Sequence, residues 1–270
     1  MRKLIALIAS ALVISLFAAP AGAQSGATVM LLHGIPGVPV DVYVDGDVVV
    51  EGFEPAAMED LSALAGATLE NVAVVPAGGD PETEAVIELP SLDVPASGNW
   101  TVVAHLDAEG TPTLTPFEND TSTIAAGEGR VTIRHTAQAP AVDIVVGEDR
   151  PFTDLSNPNE VVADLPAGPL PAEIAAAGGD VLVSVADLLG AEPSVTAGVN
   201  TILYAVGSLE GDSFNLYVQT IDGLGAAPAA VPTGNSPVTD STLPWALIAA
   251  GTLAVGAVAL GGREVARNRA

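Results

Sequence analysis

The sequence predicts an all-β chain: two tandem β-sandwich domains of Ig-like type, followed by one C-terminal transmembrane helix. Three observations predict it. The segment from Gly26 to about Leu224 matches itself at a shift of 100–102 residues. Runs rich in Val, Thr and aromatics are separated by Gly/Pro/Asp clusters at roughly ten-residue spacing, the pattern of short strands and turns in sandwiches. Finally, Leu243 to Gly262 is a stretch of 20 residues without a charge.

Taken in chain order, residues 1–23 have the form of a secretory signal peptide. Arg2 and Lys3 precede an apolar run from Leu4 to Phe17, and Ala21-Gly22-Ala23 offers a small-residue cleavage site. The first sandwich repeat is expected over 24–126. Its clearest signal is Val40-Asp41-Val42-Tyr43-Val44, then Asp45-Gly46, then Asp47-Val48-Val49-Val50. An Asp-Gly pair between alternating β-branched segments favours a hairpin, because both turn residues accept positive φ. Asn99–Leu106 reads as a further strand, whereas Pro55–Leu64 is helix-like but short and reads as a crossover turn.

The second repeat is expected over 127–225, with strands at Thr201–Val206 and Phe214–Ile221. Five anchors relate it to the first in one order. Val29–His33 matches Val131–His135, and Val40-Asp41-Val42 matches Val142-Asp143-Ile144. Ala77-Gly78-Gly79-Asp80 recurs as Ala177-Gly178-Gly179-Asp180, Gly98-x-x-Thr101 as Gly198-x-x-Thr201, and Glu109-Gly110 as Glu210-Gly211. Residues 226–242, rich in Ala, Pro, Ser and Thr, read as a linker. Residues 243–262 suit a bilayer-spanning helix, since 20 residues at about 1.5 Å each cross a hydrocarbon core of about 30 Å. The tail, 263–270, carries Arg263, Arg267 and Arg269, so the positive-inside rule places it in the cytoplasm and both sandwiches outside. Leu243-Pro244 is followed by Trp245-Ala246-Leu247, so the Leu-Pro-x-Thr-Gly motif of a cell-wall sorting signal is missing and a retained membrane helix is expected.

Composition excludes several functions. With 8 Lys+Arg against 33 Asp+Glu the formal charge is −25, which rules against nucleic acid as a partner. The absence of cysteine excludes disulfides, thiolate metal sites and cysteine catalysis. Between Gln24 and Thr242 only Arg130, Arg134 and Arg150 are basic.

The motifs that suggest chemistry are incomplete. Leu31-Leu32-His33-Gly34 resembles the oxyanion strand of an α/β-hydrolase, but no serine has glycine at both −2 and +2, as a nucleophile elbow needs. Asp45-Gly46-Asp47 lacks the remaining ligands of an EF-hand loop and is better explained as a turn. No catalytic, cofactor or metal residues are therefore assigned. The candidates are structural: His33 and Asp41, with His135 and Asp143 repeating their eight-residue spacing. Each pair is expected either to join through an imidazole–carboxylate bond or to leave the aspartate facing solvent.

The run His33-x-x-Pro36-x-x-Pro39-Val40-Asp41-Val42-Tyr43-Val44-Asp45-Gly46, with Val74–Gly79, Thr101–Phe117 and Arg130–Asp143, resembles the bacterial family called domain of unknown function 4397. It is similar to secreted actinobacterial members over roughly 27–224. The resemblance implies a secreted β-sandwich module and brings no catalytic residues with it. Gly37 after Pro36 departs from the commoner opening, and the second repeat keeps only Pro140 there.

These readings together describe a single-pass cell-membrane protein with extracellular sandwiches, non-catalytic, serving envelope structure or adhesion and needing no cofactor. Its expected partners are the lipid bilayer through 243–262 and a cell-envelope component or basic protein. The alternatives are an acidic binding module for divalent cations or a basic partner, and an enzyme with an unrecognised site.

Overall fold

Strands form where valine, threonine and aromatic residues cluster, as β-branched side chains favour the pleated backbone. The computed structural model describes residues 26–226. The first half supplies β1 (Thr28–His33), β2 (Val40–Val44), β3 (Asp47–Phe53), β4 (Met58–Asp60), β5 (Thr68–Pro76), β6 (Ile87–Asp93), β7 (Asn99–Leu106) and β8 (Pro112–Glu118). The second supplies β9 (Glu128–His135), β10 (Val142–Val146), β11 (Asp149–Leu155), β12 (Glu160–Pro166), β13 (Gly168–Pro169), β14 (Ala172–Ala176) and β15 (Val181–Ser184). It continues with the short helix α1 (Val185–Leu189), β16 (Ser194–Val195), β17 (Asn200–Val206) and β18 (Asn215–Ile221).

Four four-stranded sheets result, and their strand orders repeat. The first half forms β4-β1-β7-β8 and β3-β2-β5-β6; the second forms β12-β9-β17-β18 and β11-β10-β14-β15. Register extends the correspondence to single residues. Leu31 lies beside Val102 and Ile133 beside Leu203, while Val44 faces Val72 and Val146 faces Ala172. The Asp45-Gly46 hairpin is present, with φ of 51° and 81° at its two turn residues. In place of the helix-like patch stand β4 and a single 3₁₀ turn at Ser62–Leu64. A parallel pair, β1 with β7 and β9 with β17, lies at the centre of one sheet in each half. The hairpin signals gave no hint of it, because a parallel neighbour is reached only through the whole intervening sheet.

Each half buries an apolar core between its two sheets. Val29, Leu31, Val42, Phe53 and Val102 belong to the first core, and Ile144, Leu155, Ile174 and Leu216 to the second. A third core joins the halves: Leu32, Val103 and Phe117 pack with Ile202, Tyr204 and Val206. The sheets holding β7 and β17 are thus covered on both faces, so NWTVVAHL and NTILYAV are buried almost without alternation.

Among the described residues no helix is long and apolar enough to cross a membrane. The expected signal peptide (1–23), nearly all of the expected linker, the expected transmembrane helix (243–262) and the expected cytoplasmic tail (263–270) lie outside the described residues.

Ile202 is fully buried in the core that the halves share. Ile202→Ala is expected to cost roughly 2–5 kcal/mol. Because both halves contribute to that core, urea denaturation should show one transition displaced as a whole, rather than a second transition split from it.

Candidate functional site

The four candidate residues sit at matching places in the two halves, all of them buried. His33 ends β1 and His135 ends β9. His33 Nε2 donates to the Val38 carbonyl at 3.2 Å, and the Ile35 N–H donates to His33 Nδ1 at 3.3 Å, which fixes a neutral ring with its proton on Nε2. His135 repeats the first bond, Nε2 donating to the Pro140 carbonyl at 3.1 Å, while its Nδ1 has no partner among the described residues. Each imidazole therefore ties the end of one strand to the loop that leads into the next. Phe53 packs against the His33 ring at a centroid distance of 5.4 Å.

Asp41 and Asp143 act in a different place, and the expected imidazole–carboxylate pair is not formed. Asp41 accepts the N–H of Gly52 at 2.7 Å on one oxygen and the N–H of Gly78 at 2.7 Å on the other. Asp143 accepts from Asp154 at 3.0 Å and Gly178 at 2.9 Å. The solvent-facing alternative fails as well, since Asp41 is only 4% exposed and Asp143 only 1%. The cause is a β-bulge beside each aspartate. Val40 pairs with Phe53 and Val42 with Val50, so β3 spends one extra residue; Val142/Leu155 and Ile144/Phe152 repeat this. At the bulge, Gly52 (φ 61°) and Asp154 (φ 55°) turn their N–H groups out of the ladder, and the carboxylate receives them. The other donor, Gly78 or Gly178, belongs to the Ala-Gly-Gly-Asp turn. Two repeat anchors far apart in sequence are thereby one structural unit.

Ionisation follows from these contacts. Burial pushes His33, His105 and His135 below the ordinary imidazole range, against the opposing pull of their backbone bonds. The Asp154 and Gly178 N–H groups hold the Asp143 carboxyl below the usual carboxylate range, with Arg150 adding to the effect.

Residues 27–145 match the model of a protein family described as domain of unknown function (DUF4397). They belong to that family. No curated protein matches the chain. The DUF4397 match runs through all of the first sandwich and ends inside β10, short of the resemblance expected to about residue 224. It includes His33, Asp41, His135 and Asp143.

Sequence reasoning passed over the arginines. Arg134 is fully buried between the halves, its guanidinium 4.6 Å from the Phe117 ring and 5.3 Å from that of Tyr204. It donates to Glu160 at 2.7 Å, to the Tyr204 hydroxyl at 2.8 Å and to the Glu118 carbonyl at 3.3 Å. Tyr204 in turn donates to Gln219, which also accepts from Thr101 at 3.0 Å. Arg130 holds Asp164 through two bonds of 2.7 and 2.9 Å and Asp120 at 2.9 Å. Arg150 bonds Asp143 at 2.8 Å and the Gly179 carbonyl at 2.6 Å. The available signal was arithmetic: three cations among so many carboxylates stand where a charge has a defined place. Among the described residues, no group of three or more His, Asp or Glu is arranged to hold a metal ion.

His33→Ala and Asp41→Ala should each destabilise the chain, the aspartate change by about 1–3 kcal/mol or more as two buried N–H groups lose their acceptor. The two act on separate bonds, so the double mutant should lose the sum within about 0.5 kcal/mol. Chemical denaturation of the four proteins measures this.

Burial disfavours the charged form of the three histidines in the fold, and the unfolded chain lacks that penalty. The unfolded chain therefore takes up protons that the fold refuses as pH drops below about 6.5. This contribution raises stability with rising pH through that window and is lost as pH falls through it. His105→Gln should flatten the pH dependence of the unfolding free energy there, by at most one proton. The Asp143 contribution has the opposite origin: it is present above the ordinary Asp pKa and is lost only as pH falls through the depressed value.

Proposed function

We propose that this protein is a non-catalytic cell-envelope module, held at the outer face of the membrane by residues 243–262 and serving structure or adhesion. One observation carries the reading. Every buried ionisable side chain among the described residues is bonded within the fold: the histidines to main-chain carbonyls, the aspartates to backbone N–H groups, the arginines to carboxylates, and Tyr204 to Gln219. Such groups hold a scaffold together. The sequence adds the address, with an apolar span followed by three arginines at one end and a leader-like segment at the other.

A second reading, the binding of a basic partner or of divalent cations, is favoured by charge. Residues 26–226 carry thirty-one carboxylates and three arginines, and all three arginines are already paired with acids. The remaining acids present an anionic surface.

The full chain is expected to sediment with membranes, and truncation after Thr242 to release it. Full-length protein that stays soluble without detergent overturns the anchored reading. A rise in melting temperature with calcium, absent with sodium at equal ionic strength, would decide for cation binding.

A further inference from the structure

The two halves share a strand order and differ at two places. One is the interior: about 50 Å³ of space lies between the sheets of the first half and about 310 Å³ between those of the second. Leu61 beside Val29 and Val72 opposite Val44 become Ala163 beside Val131 and Ala172 opposite Val146. That apolar space names no occupant. The other difference is a sheet edge, and an edge does.

A free strand edge presents main-chain N–H and C=O groups, so edges are ordinarily guarded by charge, proline or a cover. Of the eight strands that border the four-stranded sheets, six carry charged residues, and four of these carry proline as well. Of the other two, β15 has four residues and runs directly into α1. β18 has seven residues, Asn215–Ile221, and neither guard.

Its outer edge is open at two residues. The Thr136 and Arg130 N–H groups donate to the Ala205 and Val199 carbonyls, so odd-numbered residues of β17 turn to β9 and even-numbered ones to β18. Tyr217 and Gln219 therefore bond Tyr204 and Ile202, and the N–H and C=O groups of Leu216, Val218 and Thr220 point away from β17. The Leu216 N–H is taken by the Asn215 side chain at 2.8 Å. Val218 and Thr220 are exposed, and no described residue bonds their main chain.

The first half closes the same edge. Val102 faces Pro116 and Trp100 faces Glu118 on β8, where Leu203 faces Val218 and Thr201 faces Thr220 on β18. Proline has no N–H to offer there, and the Glu118 carbonyl already accepts Arg134 at 3.3 Å. Acids flank the open edge. Asp212 and Asp222 are exposed just before and just after β18, and Asp187 is exposed on α1, whose Leu188 shares the second core with Leu216. The three arginines are bonded to other acids.

We propose that β18 receives an extended segment of a basic protein as an added strand, its main chain against Val218 and Thr220 and its cationic side chains toward Asp212 and Asp222. Only another extended main chain matches the spacing of the open groups. A second copy of this chain would bring like charge, and Pro228, Pro232 and Pro237 deprive the segment after residue 226 of the donors an added strand needs. The inference rests on the basic-partner reading above and assigns that partner one strand.

The test titrates the full chain in dodecylmaltoside with a fluorescent heptapeptide of alternating lysine and valine, followed by anisotropy. Binding should slow hydrogen exchange at the Val218 and Thr220 amides. The same peptide methylated on every backbone nitrogen keeps its charge and should bind about tenfold more weakly or worse, the factor carried by one or two main-chain bonds. Val218→Pro places on β18 what the first half holds at Pro116, so the chain should fold with little change in melting temperature and lose the peptide to a similar degree. Should that variant fail to fold, the two peptides decide alone. Equal binding of the methylated peptide overturns the strand site and leaves a general anionic attraction. Undiminished binding to folded V218P, or unchanged exchange at the two amides, also overturns it. If neither peptide binds, the basic-partner reading falls too. A dimer of the full chain that V218P dissociates puts a second copy on the edge and overturns the choice of partner.

Discussion

A buried carboxylate in the middle of a sheet is the constraint on which each half of this chain depends. Asp41 and Asp143 sit on central strands where an apolar residue is the ordinary occupant, and each takes two backbone N–H groups that the neighbouring strands cannot satisfy. A bulge gives β3 and β11 an extra residue and swings one N–H inward; the glycine-rich turn after β5 and β14 presents the second. Without an acceptor, both donors would be buried and unpaired, which costs more than an ordinary hydrogen bond contributes. The same bond fixes the bulge, and the bulge fixes the register that sends Val42 and Val50, or Ile144 and Phe152, to the interior. A single side chain thus connects turn chemistry, register and core.

The junction between the halves follows another rule. Its apolar part is ordinary core packing, but Arg134 brings a full charge into it. That charge is tolerable because several contacts meet it at once: Glu160 neutralises it, Tyr204 and a main-chain carbonyl each accept a further N–H, and Phe117 and Tyr204 offer ring faces. A buried pair of this kind adds little net stability over an apolar substitute, yet it penalises any misaligned docking that leaves the guanidinium unpaired. Its place between Phe117 of one half and Tyr204 of the other makes it a registration device for two sheets whose apolar surfaces alone would slide.

Much of the fold was legible because its causes are local. The Asp45-Gly46 turn and the β-branched runs state their conformation directly, and the repeat offset shows in five short anchors. The parallel pairs β1/β7 and β9/β17 were not legible, because their partners lie some seventy residues apart and nothing local marks them. At the candidate residues, sequence reasoning found the right positions and the wrong bonds. It offered Asp41 either His33, eight residues away in the chain, or solvent, whereas the acceptors and donors that matter, Val38, Gly52 and Gly78, are backbone groups that carry no side-chain signature. Arg134 escaped notice for the opposite reason: its partners come from both halves and are defined only once the sheets have met.

Duplication separates the demands of the fold from the freedom of each copy. Strand order, the His-to-carbonyl tie, the aspartate clamp and its bulge occur twice, so they are what this sandwich needs in order to form. The copies part where the fold makes no demand. Gly52 becomes Asp154 at the same positive φ, a substitution an aspartate tolerates better than most side chains. Arg150 joins the second clamp, giving Asp143 a counter-ion that Asp41 manages without. Leu61 and Val72 give way to Ala163 and Ala172, which leaves the second interior underfilled although its apolar lining is intact. Packing usually closes such a space, since voids cost dispersion energy and larger side chains are a single substitution away. The first half shows that this backbone accepts those larger side chains. The vacancy in the second is therefore a property of its sequence and not of the sandwich.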